Sequence, residues 1–324
     1  MSRAGAVLLL GLLAAGCAKL GRRASIIFSA VASELSPDRV LVDLKRSFIE
    51  DYQHRVTIRA SFTVDAASGS PNPAVFDGDL HFAGRAPEIG LRLVAELKNA
   101  GEVERTVEQV TAARESRRPL LLQGAWRLWP EHAVGPRHEQ GRPAAPLSNV
   151  NPDHVFEIHP ITRLDGRSLL ATLHPVEGYR PGSPKTFADV YEKAKLGIRV
   201  QPDKVILTLP TGLYNDVHFW LEPLAERPRI VSDGRFMWGA AYDESGNRLV
   251  PRLRMVLIQG SEPERVLRAL RPGTRRRVWG LPRVSLAEVA ERLRTTAAGG
   301  AAAEQEGPLP YEIVIVGVYP EEGR

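Results

Sequence analysis

Apolar and polar positions alternate in several short runs that follow one another after residue 50. Alternation with a period of two is typical of strands with one buried face. A polar stretch between the third and fourth runs, residues 101–115, instead carries valines at helical spacing. The runs that predict strands are residues 55–64, 77–83, 89–97, 120–129 and 154–164.

Three strands, a helix and two strands is the order of elements in an OB-fold, a small Greek-key barrel. The Pro- and Gly-rich stretch from 130 to 152 then reads as the loop between the last two strands. The pattern therefore predicts an OB-like barrel in the first half of the chain.

The start of this region predicts a helix. Ser36 is a good N-cap, and Pro37 suits the first helical position. Val40, Leu44 and Phe48 recur every four residues, which would give the helix one apolar face. We therefore expect a domain over residues 36–165 that consists of an N-terminal helix and the OB-like barrel.

Three prolines (Pro175, Pro181 and Pro184) mark a linker, after which more strand-like runs appear. Helices are expected late in this region, near 262–270 and 285–295, before a last strand. No internal repeat of regular period is apparent. The fold class expected is mainly β with some α: an OB-like Greek-key barrel followed by a second β-rich α+β domain over 175–324.

Composition narrows the function classes only slightly. The 324 residues include 43 Lys and Arg against 38 Asp and Glu, a net charge of +5 that does not by itself indicate nucleic acid binding. Neither a phosphate-binding glycine loop nor a dinucleotide fingerprint occurs, so we expect no nucleotide cofactor. The G-x-S-x-G elbow of many hydrolases is also absent.

Cys17 is the only cysteine, and it follows a basic residue, a short apolar run and the small residues Ala14-Ala15-Gly16. This arrangement resembles the lipobox of bacterial lipoproteins, although Ala14 stands where that family prefers Leu. The resemblance implies a signal peptide over 1–16, lipidation of Cys17, and a tether over 17–35. It also implies a lipid-anchored, extracytoplasmic protein on the periplasmic face of the cell envelope.

Two other interpretations of this segment remain. A lone cysteine is often a small buried hydrophobic residue. The segment Ala30-Val31-Ala32 has the form of an ordinary signal-peptide cleavage site, although Lys19, Arg22 and Arg23 interrupt the apolar run before it.

Acidic and imidazole side chains concentrate on two predicted strands. Alternation places the candidates of each strand on one face, with His154 pointing away. If the two faces meet, the set suits a divalent metal such as Zn²⁺ or general acid–base chemistry. The alternative is a structural hydrogen-bond network. The candidates are Asp77, Asp79 and His81 on one strand and Glu157 and His159 on the other.

These strands also look like a recurrent but uncharacterised secreted bacterial module. The segments concerned are Asp77-Gly78-Asp79-Leu80-His81, which reads DGD-x-H, Val94-Ala95-Glu96 one strand later, and Glu157-Ile158-His159-Pro160, which reads E-[LI]-H-P. The resemblance covers roughly residues 50–165 and implies an OB-like extracytoplasmic domain, without a known activity.

Two function classes follow. The first is an envelope lipoprotein that binds or scaffolds, with the membrane as one partner and an unknown protein, glycan or nucleic acid as another. The alternative is a metal-dependent hydrolase of the phosphodiesterase or nuclease kind. Trp126 and Trp129 could stack ligands, but core packing is the simpler expectation for them and for 218–220 and 236–238.

Overall fold

A computed structural model describes residues 38–142, 145–297 and 305–321. The signal peptide, Cys17 and the whole tether lie outside the described residues, so the predictions made for them stay predictions. The described residues form one compact unit. No helix in the described ranges has the length and apolar character needed to cross a bilayer.

Most of the regular structure is β. The strands are β1 (Arg39–Lys45), β2 (Thr57–Ala67), β3 (Leu80–Arg85), β4 (Leu93–Leu97), β5 (Leu120–Leu128), β6 (Arg137–Glu139), β7 (Phe156–Leu164), β8 (Arg167–Ser168), β9 (Lys195–Val200), β10 (Lys204–Pro210), β11 (Val217–Pro223), β12 (Arg229–Val231), β13 (Gly234–Tyr242), β14 (Arg248–Ile258), β15 (Arg276–Val284), β16 (Gln305–Pro308) and β17 (Tyr311–Val318). The α-helices are α1 (Arg46–Tyr52), α2 (Glu104–Ser116), α3 (Pro184–Lys193), α4 (Glu262–Leu267) and α5 (Leu286–Ala297).

The first barrel has the strand order predicted from the sequence. Its sheet runs β4-β3-β2-β5-β7 and closes because β4 also pairs with β7. The closing pair is parallel and the other pairs are antiparallel. Helix α2 lies between the third and fourth strands of the barrel. The OB-like fold class is therefore confirmed.

The second barrel repeats this order. Its sheet runs β11-β15-β17-β14-β13, and β11 also pairs with β13, which closes it. The pair β14–β17 is again parallel, and α4 again separates the third strand from the fourth. The β-rich α+β prediction is confirmed, and its topology is that of the first barrel. Each barrel lies on one side of the expected boundary at 165–175, and the division of the chain into two domains at that boundary stays a prediction.

Strand register shows which residues of the two barrels are equivalent. Gly84 pairs with Leu93 in the first barrel, as Gly239 pairs with Leu253 in the second. Arg127 likewise pairs with Glu157, and Arg283 pairs with Glu312. The chain therefore contains an internal structural repeat that its sequence pattern did not reveal.

Equivalent glycines allow the same close approach in both barrels. A Cβ atom on Gly124 would lie 2.5 Å from Cγ2 of Ile158, and one on Gly280 would lie 2.2 Å from Cγ2 of Ile313. Neither distance is possible for a real side chain, so any other residue would push the fourth and fifth strands of the barrel apart.

A third sheet, in the order β16-β9-β10-β1-β6, accompanies the barrels. Its strand β1 occupies much of the segment predicted to be a helix, and that prediction was wrong for 39–45. Val40, Val42 and Leu44 are fully buried at every second position, which is the period of a strand. The i, i+4 spacing of Val40 and Leu44 fits both periods, and the helix begins only at Arg46.

Two arginines join the barrels reciprocally. Arg127 donates to the carbonyl oxygens of Pro282 (2.8 Å) and Asn215 (2.8 Å) in the second half. Arg283 donates to the carbonyl oxygens of the equivalent residues Trp126 (2.9 Å) and Val56 (3.1 Å). This self-complementary contact relates the barrels by a local pseudo-twofold axis, as in an isologous dimer interface.

Candidate functional site

The predicted acidic and imidazole residues converge on the outer face of the first barrel. Strand β4 lies between β3 and β7, so outward side chains of all three strands share one surface. His81 is directly opposite Glu96, and Glu157 is opposite Val94. We call Asp79, His81, Glu96, Glu157 and His159 the acid–imidazole cluster.

His159 is at the centre of the cluster. Its Nδ1 lies 3.0 Å from Oε2 of Glu96 and 3.5 Å from Oε2 of Glu157, and its Nε2 lies 3.4 Å from Oδ2 of Asp79. Because carboxylates face both ring nitrogens, the protonated imidazolium is the form that this position favours.

The remaining members extend the cluster along the strands. Nε2 of His81 is 3.3 Å from Glu96. Arg127 binds Glu157 at 2.5 Å, and His154 approaches the other oxygen of Glu157 at 3.2 Å. The expectation that His154 points away was wrong, because β7 begins only at Phe156 and strand alternation does not apply before it.

The cluster lies where the first barrel meets the second half of the chain. Lys98 binds Oδ2 of Asp79 at 3.0 Å and also lies 3.8 Å from the centre of the Trp279 ring. The next residue, Asn99, donates to the carbonyl oxygens of Thr172 and His174. These contacts seal one side of the cluster with the connecting segment and with β15.

Burial is nearly complete. Asp79, Glu96, Glu157 and His159 are at most 2% exposed, while the side chain of His81 is 19% exposed. The cluster is thus a buried polar network whose one partly accessible side chain is His81.

The network shifts the pKa values of its members. Burial by itself lowers the pKa of a histidine, but the adjacent carboxylates outweigh it, chiefly Glu96. They raise the pKa of His81 to about 10 and that of His159 to about 9. Burial alone would raise the pKa of Glu96, but His159 and His81 lower it. At neutral pH the two imidazoles therefore carry protons opposite ionised carboxylates.

The same donors could hold a metal ion. Asp79, Glu96 and His159 each offer one ligand atom, and these atoms lie within 4.8 Å of one another. Asp77, Asp79 and His81 form a second such group. Both ring nitrogens of His159 and Oδ1 of Asp79 lack an aligned hydrogen bond within the described residues, although they are buried. A metal ion bound among these atoms, or protons on the imidazole rings, would balance the charge of the carboxylates.

The structure thus brings together all five predicted residues. Asp77 lies at the edge of the group: it offers a ligand atom within 4.8 Å of those of Asp79 and His81, and its Oδ1 accepts from the backbone N–H of Asp79 and from Asn72, both at 3.0 Å. Its side chain therefore shapes the turn that leads into β3.

Sequence reasoning did not assign Glu96, Lys98 and Arg127 to the site, although Glu96 was among the residues that carry the resemblance. The signal that could have placed Glu96 in the site is its position on the strand that pairs with β3, where an acid stands among apolar residues. A buried Lys or Arg has no comparable signature, because most such residues are on the surface.

The prediction that the aromatic residues pack in the core is confirmed for some of them and wrong for others. Trp126 and Trp129 are both buried, as core packing requires. Phe219 and Met237 are also core residues. Trp220 and Trp238 lie on the outer face of the second barrel and are partly exposed, so the core assignment was wrong for them.

No protein-family profile matches the sequence, and a comparison with curated proteins finds no significant relative.

Proposed function

We propose that this protein is a binding or scaffold lipoprotein of the cell envelope, anchored through Cys17 and built as two joined OB-like barrels. The observation that carries the binding role is the burial of the acid–imidazole cluster. An active site needs a path for substrate, whereas Asp79, Glu96 and His159 are enclosed where the barrels meet. The cluster is better suited to holding the first barrel against its neighbours.

The anchor is tested by Cys17→Ser. The variant is expected to leave the membrane fraction and to lose incorporation of labelled fatty acid, because only the thiol accepts the lipid. Unchanged sedimentation with membranes would contradict the anchor.

A metal-dependent hydrolase is the second candidate, and the observation in its favour is the compact donor set of Asp79, Glu96 and His159. The side chain of His81 would be its one accessible member. Such an enzyme needs the ion as Lewis acid or activator of water.

Metal analysis of the purified mature protein separates the two candidates. The binding proposal expects no stoichiometric Zn or Mn and no hydrolysis of a phosphodiester such as bis-p-nitrophenyl phosphate. The hydrolase requires one bound ion and hydrolysis, both lost in His159→Gln. His218→Gln is the matched control, since His218 is a histidine outside the cluster that contacts Glu244.

A further inference from the structure

A polar groove of about 810 Å³ runs along β2, β5 and the C-terminal end of β7, beyond the part of β7 that carries Glu157 and His159 of the acid–imidazole cluster. We call it the arginine groove. One wall is the outer surface of β2, β5 and β7, and the other comes from the turn and strand ends of the second barrel. Its lining includes Arg55, Arg59, Gln123, Arg163, Ser232 and Asp233.

Each of the three arginines is held by a neutral partner. Arg59 donates through Nε to Gln123 (3.2 Å), and Arg55 donates to the hydroxyl of Ser232 (3.2 Å). Arg163 donates to the carbonyl oxygen of Gly166 (2.8 Å). Within residues 38–142, 145–297 and 305–321, no carboxylate forms an ion pair with any of them. Their guanidinium groups are therefore positioned but not neutralised.

The spacing of these charges suits an extended ligand. Arg59, Gln123 and Arg163 form one row across β2, β5 and β7. Adjacent strands are about 4.8 Å apart, so the two arginines of this row are roughly 10 Å apart at the backbone. Arg55 lies two residues before the start of β2 and four residues before Arg59 in the chain. One small anion could not reach all three.

Acidic residues in the groove do not cancel its charge. Oδ2 of Asp233 already accepts from the backbone N–H of Val56 (3.1 Å) and of Thr57 (2.7 Å) and from the Thr57 hydroxyl (2.9 Å). Asp51 is the other acid in the lining. Three arginines against two aspartates leave the groove positive.

The other lining groups indicate what kind of polyanion fits. Hydroxyl and amide groups predominate, and Tyr52 is the one aromatic side chain in the lining. Grooves that bind single-stranded nucleic acid combine positive charge with several stacking aromatic rings, and OB-folds also bind oligosaccharides. We propose that the arginine groove binds an anionic polysaccharide, whose carboxylate or phosphate groups pair with Arg55, Arg59 and Arg163. This assignment goes beyond the proposed scaffold role and does not depend on the anchor.

The test uses the mature protein and two polymers, polygalacturonate for carboxylates and a phosphomannan for phosphates, with neutral dextran alongside. Calorimetric titration is expected to show binding of at least one charged polymer and none of dextran. The double variant Arg59→Glu/Arg163→Glu should weaken that binding at least about tenfold, because arginine pairs with anions by charge-assisted hydrogen bonds. The polymer that binds identifies the anionic group.

Arg105→Glu is the matched control, because Arg105 is exposed on α2 outside the groove and its substitution changes the charge equally per site. The milder Arg59→Gln/Arg163→Gln, checked by circular dichroism, repeats the test if charge reversal disturbs folding. Failure of both polymers to bind, an equal loss in Arg105→Glu, or tighter binding of oligo(dT) would overturn the proposal. None of these results would affect the membrane test of the anchor.

Discussion

The two barrels share a topology but have opposite chemistry on the same outer surface. Strand register makes His81 equivalent to Phe236 and Glu96 equivalent to Val256. By the parallel pairs of the fifth strand, His159 corresponds to Val314. Three residues of the polar cluster are therefore apolar in the second barrel, whereas Glu157 corresponds to another glutamate, Glu312.

This difference shows that the fold does not require the polar cluster. Phe236, Val256 and Val314 lie in one buried apolar cluster together with Val56 and Ala125 of the first barrel. Apolar packing thus serves the same position without charged groups. Buried ion networks often add little net stability over apolar replacements, so we interpret the acid–imidazole cluster as fixing how the first barrel packs against its neighbours rather than as a source of net stability.

What both barrels share is an arginine on the fourth strand paired with a glutamate on the fifth. Arg127–Glu157 and Arg283–Glu312 are both fully buried pairs, at 2.5 and 2.7 Å. Each arginine also reaches carbonyl oxygens of the opposite barrel. We interpret the shared pair as the element that joins the barrels and the cluster as the element that distinguishes them.

The largest expected effect on stability comes from introducing an acidic residue of the first barrel at the equivalent position of the second. Val256→Glu places a carboxylate where the equivalents of both cluster histidines are apolar. The nearest cation on this face, Arg254, already binds Glu312 at 2.6 Å, so the new carboxylate would lack a partner of its own. Its pKa should therefore rise by about 3–5 units, which corresponds to a loss of about 4–7 kcal/mol in unfolding free energy. Chemical denaturation measures this, with Val256→Ala as the control for lost volume. A loss no greater than that of the alanine variant would contradict the assigned equivalence.

Replacing the buried arginine that both barrels have on their fourth strand is expected to cause the next largest loss of stability. Arg283→Ala leaves Glu312 short of one buried partner and three backbone carbonyls without their donor. The unfolding free energy should fall by about 3–5 kcal/mol, and the equivalent Arg127→Ala should have a similar effect. Exposed Arg105→Ala is the control, expected within about 0.5 kcal/mol of the parent. If only one of the two substitutions lowers the unfolding free energy, the reciprocal arginine contact is not what joins the barrels.

The cluster predicts a dependence of stability on pH that the equivalent apolar residues of the second barrel do not. The pKa values of His81 and His159 are raised above the ordinary 6.5 to about 10 and about 9. Their contribution is complete below pH 6.5 and is lost as pH rises through 9 and 10. One pKa unit corresponds to about 1.4 kcal/mol, so the unfolding free energy should fall by a few kcal/mol over this range.

Denaturation titrations between pH 6 and pH 10 provide the measurement. The triple variant His81→Phe/Glu96→Val/His159→Val copies the second barrel and should have a flatter profile over the same range. A parent protein whose stability does not change up to pH 10 would show that the two imidazoles are neutral.

A smaller difference lies at a partly exposed ion pair. Arg85 binds Asp65 with two hydrogen bonds of 2.8 and 2.7 Å, whereas its equivalent in the second barrel is Ala240. Arg85→Ala should therefore lower the unfolding free energy by only about 1–2 kcal/mol. Thermal melts would measure this change, with Arg85→Lys retaining charge but losing the two-pronged geometry. A loss as large as that of Arg283→Ala would mean that exposure does not weaken this pair.

Pattern reading succeeded where one period dominated the sequence. The order of elements in the sequence predicted the first barrel. Pattern reading failed at 39–45, where Val40 and Leu44 satisfy two periods at once.

The internal repeat escaped sequence analysis because few residues carry it. Gly124 and Gly280 are alike because they permit close strand approach, and Arg127 and Arg283 because they join the barrels. Between such positions the requirement is only for apolar residues of suitable size, which many different sequences meet. A repeat of topology therefore leaves little trace in a single chain.

The sequence by itself determined the β-rich class, the strand order of the first barrel, and the chemical types of the residues at 79, 81, 157 and 159. Local alternation is sufficient for that, because it records which side of a strand is buried. Only the tertiary structure decided that these residues meet Glu96, Lys98 and Arg127 in a buried cluster. It also revealed the second barrel that leaves much of the same surface apolar. Those outcomes depend on strand pairing between distant segments, which no local pattern encodes.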